Sequence, residues 1–257
     1  PMRAMQASWR LHHPTWRFRL WTDDDLDGLV RRHAPHLLAL FRGYAEPVCR
    51  ADLGRFLILL VHGGVYVDLD VECFRPVDDL PQAGTFSLGE EPAEHLCGPR
   101  IAPLGLPRLL SPAWMAAPPG PAFTAAMLNA FPAASDEPDV LARTGPVLLT
   151  RVHARWDGSA PVRVLPASAL HPFTLADTQS GRTDDFMHWD DVRQRTCGAH
   201  LWAGTWWRPA STDRSLPLRE VPINMGGPDA PHRRQDLARE PATAPDAPLI
   251  SCLMVTR

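Results

Sequence analysis

At 257 residues, 45% hydrophobic and 21% charged, the chain is long enough for one sizeable α/β domain, with or without a tail. A formal charge of −3 without a basic stripe excludes the electrostatic footprint of a nucleic-acid binder, and no apolar run reaches the roughly eighteen residues of a spanning helix. The five cysteines are scattered, odd in number and without a C-x-x-C pair, which signals neither a disulfide framework nor a zinc cage.

Taken in chain order, "HPTWRFRLWTDDD" predicts the end of a short helix, a strand over Arg17 to Trp21, and a helix capped by Thr22 or Asp23. A second helix, from about Arg50 to His62, places Leu53, Phe56, Leu57, Leu60 and Val61 on one buried stripe, with Asp52 and Arg55 off it, one turn apart. Gly63-Gly64 ends that helix. Val65, Val67 and Leu69 then alternate with Tyr66, Asp68 and Asp70, so both aspartates are expected to leave the same side of a strand. A strand follows near Thr85 to Leu88, then helices over Phe123 to Phe131 and Pro146 to Trp156, the latter opened by a Gly-Pro turn. "PVRVLPASALHPF" reads as a strand with an exit loop, and "CGAHLWAGTWW" gathers a histidine and three tryptophans. From Arg208 the composition turns to Pro, Ala, Arg and Asp without periodicity, as in a linker, until the apolar "PLISCLMVTR".

Asp-x-Asp pairs are common by chance, and those in "TDDDLD" read as a solvated helix start that favours negative charge. The pair Asp68 and Asp70 differs because it closes an apolar strand, the place where open α/β sheets bind ligands. Two carboxylates there suit Mg²⁺ or Mn²⁺, whose remaining positions are commonly filled by phosphate oxygens and water. The blander alternative is a helix cap and a solvated turn.

The stretch "RADLGRFLILLVHGGVYVDLDVECFRPVDDL" resembles the sugar-binding DXD region of glycosyltransferase family 32, the Och1-like and capsular-polysaccharide type. The likeness runs from about Trp9 to Trp207 and includes "SLGEEPAEH" and "TGPVLLT". It implies a GT-A-type nucleotide-sugar-binding fold: a single α/β domain with a central, mostly parallel sheet. It further implies a UDP- or GDP-sugar donor, Mn²⁺ or Mg²⁺, and retaining transfer to a glycan, lipid-linked or small-molecule hydroxyl, as in bacterial polysaccharide biosynthesis. By resemblance, Asp68, Asp70 and His200 are metal ligands. Asp52, Arg55, Asp68, Thr144, Gly145 and Trp206 bind the donor, with Asp68, Asp70 and Arg55 as the catalytic set. Asp52 with Arg55 could equally be a surface helical pair, His200 a histidine satisfied by a carbonyl, and the tryptophans core filling.

Two departures from the family stand out: nothing before Trp9 supplies its usual first strand, and Pro112 stands where the family generally has Asn. These leave a non-catalytic scaffold or pseudoenzyme of the same fold as the alternative to an enzyme. A metal-dependent phosphohydrolase accommodates the carboxylates but not Asp52, Arg55 and the Thr-Gly-Pro turn. The expected organisation is a transferase domain over 1–207, a linker over 208–247, and at 248–257 the first strand of a second domain resembling family 2 glycosyltransferases. An added edge strand is the rival reading of that last segment. "PMRAMQASWR" lacks the apolar core of a signal peptide, so a cytoplasmic location, or one peripheral to a membrane, is expected.

Overall fold

In a computed structural model, which describes residues 2–179, 186–202 and 249–253, the first strand-to-helix unit forms as expected. A helix α1 (Met2–His12) precedes β1 (Arg17–Trp21) and α2 (Asp23–His33). Thr22 caps α2 reciprocally: its Oγ1 accepts from the Asp25 N–H at 3.3 Å, and the Asp25 carboxylate accepts from the Thr22 N–H at 2.9 Å.

After α3 (Leu38–Gly43), α4 (Pro47–His62) starts earlier than the periodicity suggests, because a proline in the first turn forfeits no helical hydrogen bond. The single-stripe expectation is corrected here. Apart from Arg50, α4 is buried from Val48 through Leu59, including Asp52 and Arg55, since α2 and α5 (Ala122–Ala133) both pack against it. Gly63 then stops the helix at φ +62°, ψ −156°, and a Cβ there would lie 2.6 Å from the Pro119 backbone nitrogen.

β2 (Gly64–Asp68) follows, with Val65 and Val67 in one core cluster and Tyr66 in the other, across the sheet. Asp70 is not on this strand. It lies in the turn between β2 and β3 (Val71–Cys73), so the two aspartates converge across a turn and not along one strand face.

The main sheet is completed by β4 (Phe86–Glu90), β5 (Leu110–Ala117), β6 (Val162–Leu165) and β8 (Leu249–Leu253), in the order β1-β8-β2-β5-β4-β6. β5 is antiparallel to β2 and β4, and the other neighbours are parallel. The α/β class and the central sheet match expectation, with three of the five strand pairings parallel. β3 pairs instead with β7 (Gly198–His200) in a separate two-stranded sheet, onto which α1 packs through Trp9 Nε1, donating to the Val71 carbonyl at 2.8 Å. Leu249–Leu253, expected to open a second domain or to add at an edge, lies inside the main sheet with a strand on each side. The linker 208–247 lies outside the described residues. Among the described residues no helix is long and apolar enough to cross a membrane.

Candidate metal and donor site

α4, the end of β2, the β2–β3 turn and β7 bring five of the expected residues together. Asp68 closes β2, Asp70 sits one residue into the turn, and His200 ends β7, held beside the turn because the Leu201 N–H donates to the Asp70 carbonyl at 2.9 Å. One ligand atom from each of Asp68, Asp70 and His200 falls within 4.8 Å of the others. Two carboxylates and an imidazole converging this closely fit a divalent cation of the Mg²⁺ or Mn²⁺ kind.

The electrostatics fit too. His200 Nε2 lies 3.3 Å from Asp70 Oδ1, and its buried Nδ1 has no hydrogen-bond partner. Burial disfavours the charged ring, but Asp70 and Asp68 outweigh it and hold the His200 pKa above its ordinary value. The carboxylates thus favour a positive charge at this place, which a cation would supply. Burial raises the Asp68 carboxyl, opposed chiefly by Arg55.

Behind these three residues stands Arg55. One terminal nitrogen, Nη1, lies 3.4 Å from Asp68 Oδ2 and donates to the Pro112 carbonyl at 3.1 Å; Nη2 meets Asp52 Oδ1 at 2.8 Å. The pair is buried, with side chains 6% exposed, so the surface-pair alternative does not hold. Burial works against the guanidinium charge, yet the surrounding acids raise its pKa further. Asp52 is pushed up to about 6 by burial, opposed by Arg55 and by the Thr144 hydroxyl, which donates to Asp52 Oδ2 at 2.6 Å. Thr144 is itself buried, and Gly145 caps the helix α7 (Pro146–Ala154) that follows α6 (Val140–Arg143). Trp206 lies outside the described residues.

Sequence reasoning missed three groups. Tyr66 donates to Asp68 Oδ1 at 2.6 Å, and the i, i+2 spacing that places it on the same strand face as Asp68 was the available signal. Trp202, at φ +49°, lies with its ring centroid 4.0 Å from that of His200. His171 is fully buried against Gly89, where a Cβ would meet its ring at 2.5 Å, and burial pushes its pKa well down, so it stands as a neutral ring 5.8 Å from His200. Nothing in the pattern "ALHPF" announces it.

The site is thus a cluster of two carboxylates and a histidine beside a buried arginine, and residues 2–87 match the family described as glycosyltransferase sugar-binding region containing DXD motif. Inositol phosphoceramide mannosyltransferase 1 of Schizosaccharomyces pombe is 30% identical over 170 residues, 62% of this chain and 49% of that protein. Mannosyl phosphorylinositol ceramide synthase CSH1 of Saccharomyces cerevisiae is 40% identical over 74 residues, 29% of this chain and 20% of that one. The initiation-specific alpha-1,6-mannosyltransferase of Candida albicans is 30% identical over 77 residues, 29% and 20% of the respective chains. The resemblance to glycosyltransferase family 32 is thereby borne out over the sugar-binding region, while the chain spans about half, or less, of each of these relatives. Among solved structures, PaToxG Glycosyltransferase covers 60% of this chain and 63% of its own at a TM-score of 0.40 and 14% identity, too distant a likeness to define the fold by itself.

Proposed function

We propose that the protein is a metal-dependent glycosyltransferase that moves a sugar from a UDP- or GDP-linked donor, with retention at the anomeric carbon, to a hydroxyl of a lipid-linked, glycan or small-molecule acceptor. The observation that carries the reading is the convergence of Asp68, Asp70 and His200 beside the buried Arg55–Asp52 pair. The names of the relatives, three of them mannosyl-transferring enzymes and two of those acting on a ceramide, support a hexosyl donor and a lipid-linked acceptor.

The cation, Mn²⁺ or Mg²⁺, would supply positive charge where negative charge builds on the departing diphosphate. This chain's own residues prepare the place for it. Arg55 offsets the cost of a buried carboxylate at Asp68 and fixes one of its oxygens. Tyr66 fixes the other, so the carboxylate is oriented before any ligand arrives. Asp52 holds the second arm of Arg55, and Thr144 holds Asp52, which ties the α6–α7 turn to α4. Bonded to Asp52, Asp68 and the Pro112 carbonyl, Arg55 acts on the site through Asp68 as a positioning residue. A cytoplasmic setting, at the membrane surface for a lipid-linked acceptor, belongs to the same proposal and is checked by cell fractionation.

The test is release of nucleoside diphosphate from a panel of UDP- and GDP-hexoses, with and without an inositol-phosphate-bearing lipid. Activity that needs Mn²⁺ or Mg²⁺, is lost to EDTA and falls by about 10²-fold or more in Asp70→Ala supports the reading. Wild-type protein that binds donor and turns nothing over points to the scaffold alternative.

A further inference from the structure

Among the described residues β1 has a single neighbour in the main sheet, and that neighbour is β8. The three strands β1, β8 and β2 run parallel, and their registers align Trp21 with Leu253 and Leu253 with Asp68. The row Trp21, Leu253, Asp68 therefore marks one carboxyl edge. The Thr22 cap of α2 begins beyond one end of the row and the Asp68–Asp70 turn beyond the other. At β2 the sheet changes direction, because β5 on its far side is antiparallel. Ligands of open α/β sheets bind outside carboxyl edges of this kind, where the topology switches.

The spacing of that edge depends on β8. Neighbouring strands lie about 4.8 Å apart, which puts β1 roughly 10 Å from β2 with β8 between them. Without β8, β1 and β2 either face an empty slot with unpaired backbone groups or close up by one strand's width. Closure would displace the α2 cap by about 4.8 Å, well beyond the ~1 Å misplacement that already disables a positioned site.

We propose that β8, supplied from beyond residue 248 of this same chain, is a built-in part of the donor-binding edge. It holds β1 and the α2 cap at the distance from Asp68 at which a nucleoside diphosphate on the Asp68–Asp70–His200 centre fits between them. The inference rests on the donor-site reading and adds to it that one side of the site is completed by a strand far from the DXD region in sequence.

Two measurements on the full chain test it. In hydrogen exchange, the amides of Leu249–Leu253 are expected to exchange about tenfold or more slowly than an unstructured peptide, as an interior strand must. Exchange at the unstructured rate, or protection that appears only at concentrations where the protein dimerises, overturns the assignment within one chain. The second measurement uses Ser251→Pro, since proline removes a ladder N–H and is excluded from sheet interiors, with Ser251→Ala as control. The proline variant is expected to exchange faster across Arg17–Asp25 and to bind GDP or UDP in the presence of Mn²⁺ about tenfold more weakly, while the alanine variant follows wild type. Wild-type exchange at β1, or unchanged Mn²⁺-dependent nucleotide binding, in Ser251→Pro overturns the proposal. Should that variant not fold, the wild-type exchange result decides. Failure of the wild type to bind Mn²⁺ with either nucleotide contradicts the donor-site reading separately and leaves the exchange measurement to judge β8.

Discussion

At the scale of single residues, the site is built from groups that restrain one another before any ligand binds. Tyr66 is the plainest case: its hydroxyl donates to Asp68 Oδ1, and its ring lies 5.2 Å from the Arg55 guanidinium. Tyr66→Phe keeps the ring in the core and removes the donor, so Mn²⁺ affinity is expected to fall about 10- to 100-fold with little change in stability, as read by Mn²⁺ titration under electron paramagnetic resonance. An unchanged affinity would mean that Asp68 is oriented by Arg55 alone. His200 makes the affinity pH-dependent. Its folded pKa is raised by Asp70, and a metal needs the neutral ring, so binding must expel a proton below that pKa. Mn²⁺ affinity is therefore expected to be highest above the His200 pKa and to weaken toward tenfold per pH unit as pH falls below it, with proton release measurable by calorimetry in two buffers. A flat profile from pH 8 to 5.5 would remove His200 from the ligand set.

Among the elements, legibility divided according to whether local pattern or tertiary cover decided the outcome. The helix start at Thr22, the diglycine stop and β2 follow from capping and alternation, which act within a few residues. β5 was not legible, because Pro112 within "LSPAWMAAPP" argues against an interior strand. The structure removes the conflict: the β4–β5 register shifts between Leu88 and Gly89 and skips Pro112, β2 pairs with β5 only from Trp114 onward, and the Pro112 carbonyl accepts from Arg55. The surface-pair alternative for Asp52 and Arg55 fails for a similar reason, since Asp68, the Pro112 carbonyl and Thr144 meet them from distant parts of the chain and no local signal shows it. The diglycine stop gives a prediction at this scale. Gly63→Ala meets both a positive φ and the Pro119 backbone, so a loss of about 2 to 4 kcal/mol in urea denaturation is expected. A change under about 0.5 kcal/mol would show that the α4–β2 corner relaxes.

Across the whole molecule, the Asp68–Asp70–His200 cluster is assembled from positions far apart in sequence. β2 supplies Asp68, the following turn Asp70, the β3–β7 pairing His200, and the sheet that carries β2 contains Leu249–Leu253. The aspartates were visible in the sequence because their context is local. The placement of His200 came only through resemblance, and that of β8 through neither, since parallel pairing over so long a separation leaves no local trace. The central claim is that Asp68, Asp70 and His200 hold a divalent cation that in turn holds a nucleoside diphosphate. Its most direct test is thermal unfolding of wild type and Asp70→Ala with Mn²⁺, with GDP or UDP, and with both together. For the wild type the account predicts a stabilisation by the pair larger than the sum of the separate effects, about 2.7 kcal/mol when the ligand stands at 100 times its Kd, and little or none of it in Asp70→Ala. Equal stabilisation of the two proteins, or strictly additive effects in the wild type, would contradict it.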